Sequence, residues 1–234
     1  MYKKIGIVIA DGEEYRPFAE SQKSAQPYNE CFGMPGISFK VGDIRAYAVF
    51  CGMGKVNAAT AAAYLAAIGC EAILNFGLSG GVHGVRRGDF NLPERFLEHD
   101  FDLTGIGYKP CEKPGQDYIY EADKALSRVF LKVLGDTPRG TAVCGDSFIC
   151  DGKVSDYLYN TFGASTCDME TAAIASVCHA AKLPFIALRR ISDDASDSAG
   201  DDYREINNNE GHLLSKVFCD CLSALCFESG EESL

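Results

Sequence analysis

A strand, a helix and a second strand follow one another with short gaps, and this βαβ order is what most limits the folds open to the chain. Residues 45–50 are of strand length, residues 54–68 are Ala-rich and of helical length with Gly69 closing them, and residues 71–76 form a largely apolar strand that ends in Gly77-Leu78-Ser79-Gly80-Gly81. A β-branched run at 4–10 adds another strand. Residues 37–41 pair with 45–50 across a turn at Gly42-Asp43, so the sheet is expected to be mixed rather than wholly parallel. Further strands are expected at 89–98, 139–144 and 184–190, and helices at 121–134, 155–161, 168–181 and 202–227. Between 99 and 117 lies a loop-rich stretch, a length that in compact domains is often functional. The expected architecture is an α/β sandwich in a single domain over 1–234, since no Pro/Ser/Gly-rich linker divides the chain.

Composition narrows the partners. A net charge of −11 argues against duplex nucleic acid, which draws on clustered Lys and Arg. The apolar segments are short and broken by charges, and the Met1-Tyr2-Lys3-Lys4 start runs into a strand without a cleavage site, so neither a membrane span nor a leader is expected and a cytoplasmic location is. Eleven cysteines are scattered through apolar runs in a chain large enough to core itself, which predicts reduced thiols. Cys219-Asp220-Cys221 lacks a second CxxC or paired His, so no metal site and no cofactor is expected.

The chemistry concentrates in two stretches, Cys167-Asp168-Met169-Glu170-Thr171-Ala172-Ala173 and Arg189-Arg190-Ile191-Ser192-Asp193. Asp193 ends an apolar strand, where α/β proteins commonly place ligands. It is either a general acid able to protonate a purine leaving group or a cap for the segment that follows. Glu170 either accepts hydrogen bonds from a ribose diol, with Met169 as an apolar wall, or complements a helix dipole. Glu13-Glu14 follows the first strand. Adjacent acids are most often a solvated helix start, and what raises Glu14 is a second carboxylate with a different protonation bias, which Asp193 supplies.

Other motifs carry less. The glycine segment 77–81 is read as a loop allowing close approach to a ligand. Gly52-Met53-Gly54-Lys55-Val56 satisfies neither nucleotide motif, having Asn57 for the third Rossmann glycine and Val56 for the P-loop hydroxyl. Asp193, Asp194, Asp197, Asp201 and Asp202 do not have calcium-loop spacing, and Cys178 and His179, adjacent on a helix, do not face each other.

Several separated motifs occur together in order: Lys4-Ile5-Gly6-Ile7 with Glu13-Glu14, Gly52-Met53-Gly54-Lys55-Val56, Asn75-Phe76-Gly77-Leu78-Ser79-Gly80-Gly81, Gly145-Asp146-Ser147-Phe148-Ile149, and the two acidic stretches above. In this the chain resembles the 5'-methylthioadenosine/S-adenosylhomocysteine nucleosidases of the purine-nucleoside-phosphorylase-like superfamily. The resemblance implies a three-layer α/β/α sandwich around a mixed, partly barrel-like central sheet, and a hydrolytic N-glycosidase that releases adenine from a nucleoside in methionine salvage. It implies Glu14 as the base activating water, Asp193 as the acid for N7, and Met169 with Glu170 as the ribose clamp. By the same resemblance Phe148 would stack on adenine, Ile149 would bind it through backbone, and Gly80, Ser192 and Arg189 would join the substrate site. Members are generally homodimers, the 5'-pocket being completed by a partner loop here containing Leu103, Ile106 and Pro114. Leu78 stands where the family commonly has a serine, and Asp11-Gly12 also departs from it. Leu78 motivates a second expectation, a nucleoside-binding protein without turnover. Gly12 and Arg16, spaced like a phosphate-contacting pair, keep a phosphate-dependent phosphorylase open, whereas Asn75 argues against it.

Overall fold

The computed structural model describes residues 2–227, leaving aside the side chains at 208–210 and 227; the single-domain expectation therefore extends to residue 1 and 228–234, outside the described residues. One sheet organises the chain. Its central strands are β1 (Lys4–Ile9), β4 (Ile44–Phe50) and β5 (Ala72–Gly81), all parallel, with β3 (Gly36–Val41) antiparallel to β4 and the short β2 (Gln26–Pro27) beyond it. At β5 the sheet forks. One edge of β5 pairs first with β1 and then, at Gly80 and Gly81, with β10 (Ala164–Asp168); the other edge carries β11 (Phe185–Asp193). From β10 the order continues through β9 (Thr141–Cys144) and β7 (Arg95–Glu98) to β8 (Ile119–Glu121), while β6 (Phe90–Asn91) pairs β11. The sheet curls but does not close into a barrel.

Helices cover both faces. On one, α1 (Gly12–Ser21), α3 (Lys124–Leu134) and α6 (Ala199–Phe227) enclose an aromatic core in which Phe18 meets Phe39, Phe76 and Phe218, the last two stacked at 4.3 Å. On the other, α2 (Lys55–Ala67) and α5 (Thr171–Ala181) pack through small residues such as Ala58, Ala61, Ala62, Ala172 and Ala175. Small side chains let these helices lie close to the sheet, and β-branched strand residues fill between them. α4 (Gly152–Phe162) covers β9 and β10.

Several boundaries differ from the sequence expectation. Residues 77–81 are strand, not loop: β5 runs through them because β11 pairs with it up to Gly80. The expected strand at 89–98 is interrupted around Pro93, which has no amide to donate to a ladder. Residues 119–121 join the sheet, and α3 starts only at Lys124, because Asp123 accepts from the amides of Ala125 and Leu126. Likewise the segment before α5 belongs to β10, a five-residue strand whose Ser165 and Thr166 are buried and disguise it. The remaining helices and strands fall within a few residues of expectation, and α1 and the short β2 are additions to it.

Candidate active site

The carboxyl ends of β1, β5, β10 and β11 open onto one cavity of about 290 Å³. Glu14, Asp193, Gly80, Phe148, Ile149, Met169, Glu170, Ser192 and Arg189, drawn from sequence stretches up to 179 residues apart, all line it. Leu103, Ile106 and Pro114 do not. They lie on the 99–117 segment, which carries a single 3₁₀ turn at Thr104–Ile106, and Ile106 is 72% exposed.

Each of the three deep acids is held by a backbone amide. Glu14, in the first turn of α1, accepts from the Leu78 N–H at 2.7 Å; Glu170, at the start of α5, accepts from the Gly54 N–H at 2.7 Å; Asp193, the last residue of β11, accepts from the Ala195 N–H at 2.9 Å and from the Ser192 hydroxyl at 2.6 Å. Burial dominates their chemistry. It pushes the Glu14 carboxyl up to about 8, with the Leu78 amide and Arg189 opposing and Asp11 and Glu170 adding to the rise. Glu170 is pushed up to about 7 by burial and by Asp168, against the Gly54 amide and Arg189. Asp193 is also raised by burial, and the Ser192 and Ala195 bonds lower it in part. The cavity thus gathers carboxyl groups whose proton affinities are moved toward neutrality, as proton transfer near pH 7 requires.

Asp168 caps the start of α5 with its side chain. Its Oδ1 accepts from the amides of Glu170 and Thr171, its Oδ2 from the Thr171 hydroxyl, and Arg189 Nε lies 3.4 Å from Oδ2. This frees Glu170 from capping: its carboxylate turns into the cavity rather than onto its own helix. Arg189 is 2% exposed and also bonds Asn75, while Arg190, next along the strand, points to the other face and lies over the Phe90 ring. Two glycines are needed for this crowding. A Cβ at Gly77 would come within 2.5 Å of Arg189 and 3.0 Å of Glu14, and one at Gly80 within 2.9 Å of Cys167 and 3.1 Å of Asp193.

The Leu78 departure loses nothing at Glu14, because the contact is made by the backbone amide of that position; the Ser79 hydroxyl is taken up by the Cys167 carbonyl at 2.8 Å. Arg16 does not line the cavity, and its guanidinium is bound to Glu13 on the surface. The residues around 52–56 matter through backbone that no motif reveals: beside the Gly54 amide, the Lys55 amide bonds Asp146, fixing the loop that carries Phe148. Asp11, Met53, Ser147 and Tyr203 also line the cavity. Tyr203 had no sequence signal beyond its place in an amphipathic helix; its ring meets Phe148 edge-on at 5.6 Å. The acidic run after Asp193 is spent on surface pairs such as Asp202 with Arg87, and no group of three or more metal-ligating side chains occurs among the described residues.

Comparison with known proteins bears on this geometry. The profile of the phosphorylase superfamily matches residues 4–225. The chain is similar to a 5'-methylthioadenosine/S-adenosylhomocysteine nucleosidase of Shewanella loihica, 31% identical over 233 residues that cover 95% of this chain and all of the relative, and to one of an Exiguobacterium species, 35% identical with 84% and 87% covered. Among solved structures it resembles the nucleosidase of the same name from S. pneumoniae, solved with the transition-state inhibitor MT-ImmA, at a TM-score of 0.88 and 28% identity, with 95% and 99% of the chains covered.

Proposed function

This chain belongs to the phosphorylase superfamily, and we propose that it is a hydrolytic N-glycosidase that cleaves 5'-methylthioadenosine, S-adenosylhomocysteine or a related 6-aminopurine nucleoside and releases adenine. The observation that carries the reading is the charge of the cavity. Asp11, Glu14, Asp168, Glu170 and Asp193 line it, and among the described residues the one cation lining it, Arg189, is already committed to Asp168 and Asn75. Such a wall suits water and a developing cation, and offers phosphate no receptor.

The roles we propose for the lining residues are compatible with their shared cavity. Asp193, favoured in its protonated form by burial, gives a proton to N7 as the C1'–N9 electron pair leaves with adenine. Glu14, in its ionised form, takes a proton from the water that forms the new O–C1' bond; its raised proton affinity makes that form a stronger base and, below about pH 8, the smaller share of the enzyme. Glu170 accepts from the ribose hydroxyls, with Met169 against the sugar and Phe148 and Ile149 at the base. Solvent then returns Glu14 and Asp193 to their starting states. Because the sugar becomes cation-like as the bond breaks, the carboxylates stabilise it more in the transition state than in the bound substrate.

The same reading makes the chain one domain in a cytoplasmic homodimer serving methionine salvage. All eleven cysteines are free thiols, which fits a reducing compartment. Met53, which lines the cavity, is 53% exposed, and Val56 and Ile106 are 76% and 72% exposed, apolar surface of the kind a second copy covers. Incubation with methylthioadenosine in phosphate-free buffer tests the central claim: adenine and a free 5-methylthioribose are expected, while strict phosphate dependence with a ribose-1-phosphate product would assign a phosphorylase. Tight nucleoside binding with no base release would instead assign a non-catalytic binding protein.

A further inference from the structure

The hydrolase reading, on which this inference rests, leaves one part of the cavity wall without a task. Asp193, Glu14 and Glu170 meet N7, water and the diol; Ser79 is bonded to a carbonyl, Ser192 to Asp193, and Asp168 to Arg189 and the start of α5. What is left is a polar pair, Asp11 and Tyr203, with Ser147 on the exposed loop beside Phe148. On the substrate, what is left is the 5'-substituent.

We propose that Asp11, braced by Tyr203, is a specificity-determining acceptor for a hydrogen-bond donor on the 5'-substituent, an ammonium or hydroxyl, so that nucleosides carrying such a donor are favoured over those ending in a bare alkylthio group. Asp11 lies one helical turn before Glu14. Its Oδ1 accepts from the Glu13 amide at 2.7 Å and so starts α1; its Oδ2 accepts from the Tyr203 hydroxyl at 2.8 Å and from the Asn207 side-chain amide at 3.5 Å, the same Asn207 nitrogen standing 3.3 Å from that hydroxyl. This fixes the carboxylate in place while leaving it acceptor capacity, since a carboxylate offers about four lone-pair sites. It also leaves the charge uncompensated: Asp11 joins no ion pair among the described residues, and the nearby Arg16 is bound to Glu13.

A half-buried anion lining a cavity discriminates in a known direction. A donor on the ligand replaces the water it displaces from Asp11 with a charge-assisted bond, whereas an alkylthio group desolvates the carboxylate and returns nothing. A site built to accept a hydrogen bond rejects the analogue lacking the donor more strongly than an apolar pocket rejects a misfit. Tyr203 sets the direction of the carboxylate, and its ring keeps contact with Phe148 whether or not the hydroxyl is present.

The experiment compares kcat/KM for 5'-amino-5'-deoxyadenosine, which carries a donor on C5', and 5'-methylthioadenosine, which carries none, in the wild type, Asp11→Asn and Tyr203→Phe. Asparagine keeps an acceptor for the helix cap, and phenylalanine keeps the ring. The wild type is expected to favour the amino compound by at least about 10-fold, Asp11→Asn to reduce that ratio about 10-fold, and Tyr203→Phe to reduce it a few-fold. A wild-type preference for the methylthio compound, or variants that slow both substrates equally and leave the ratio unchanged, would overturn the assignment and make Asp11 and Tyr203 a brace for α1 and α6. Absence of adenine from both nucleosides with the wild type is a different failure: it removes the hydrolase reading itself.

Discussion

Glu14, Glu170 and Asp193 are each less than a tenth exposed and each is gripped by a backbone amide, whereas on the 99–117 segment Leu103, Ile106 and Pro114 reach no part of the cavity and Ile106 stands open to solvent. The two regions solve different problems. In the cavity, burial does chemical work by moving proton affinities, and it is tolerable only because β5 and β11 present amides and glycines at the contact points. On the loop, Leu103 is half-buried while Ile106 and Pro114 are exposed, so the value of these two depends on what covers them. Reaction chemistry is therefore expected to survive within one subunit's framework, and the outer wall to depend on assembly.

The sharpest way to break that division is to remove the proposed proton donor while keeping its shape. Asp193→Asn can still accept from Ala195 but has no carboxylic proton, and a loss of at least ~100-fold in kcat is expected with substrate binding largely retained. Asp194, exposed one residue further on, provides the contrast: its substitution by asparagine should leave kcat within a few-fold. Single-turnover adenine release measures both. Near-normal turnover for the first would remove Asp193 from its role as acid.

A second test uses stability instead of rate. The folded protein keeps the Glu14 proton up to about pH 8, whereas the unfolded chain loses it in the ordinary carboxyl range. Folding then takes up a proton, so stability is greatest below the unfolded value, falls as pH rises, and levels off above about 8. Glu14→Gln, which cannot ionise, should lose less stability between pH 6 and pH 8 than the wild type by about 1–2 kcal/mol, with Glu170 still contributing slope below about 7. Urea unfolding at the two pH values reads the difference; equal slopes would mean that Glu14 is not buried as a neutral acid.

What could be read from the sequence divides along similar lines. The βαβ unit, the hairpin at 37–50 and the acidic stretches were legible because hydrophobic period, turn residues and residue type act locally. The conjunction of Glu14, Glu170 and Asp193 was legible as chemistry, and the structure places them in one cavity. Three things were not legible. Whether 77–81 is loop or strand depends on β11 pairing alongside it, a contact more than 100 residues away in sequence. That Asp168 caps α5, and thereby releases Glu170, depends on β10, whose buried Ser165 and Thr166 resemble a polar loop. The grip on Glu170 and Glu14 comes from amides of Gly54 and Leu78, and backbone groups leave no trace in residue identity. Leu78 is the clearest instance: nothing in its side chain foretells that its amide holds Glu14.

The smallest expected effect lies on the loop, and it separates folding from assembly. Ile106 is 72% exposed at the end of a single 3₁₀ turn, so within one chain its replacement by aspartate buries no charge and opens no cavity. Surface changes of this kind typically alter folding stability by no more than ~0.5 kcal/mol. In a homodimer closed by this loop, the same substitution places a charge in an apolar contact beside an already acidic cavity, so dissociation and a several-fold rise in KM for methylthioadenosine are expected, with kcat changed less. Sedimentation at assay concentration and steady-state kinetics on the same preparation separate the outcomes. A wild type that is monomeric and fully active, or an Ile106→Asp protein that dissociates with its KM unchanged, would mean that the cavity is complete within one chain and that Met53, Asp11 and Tyr203 alone face the 5'-substituent.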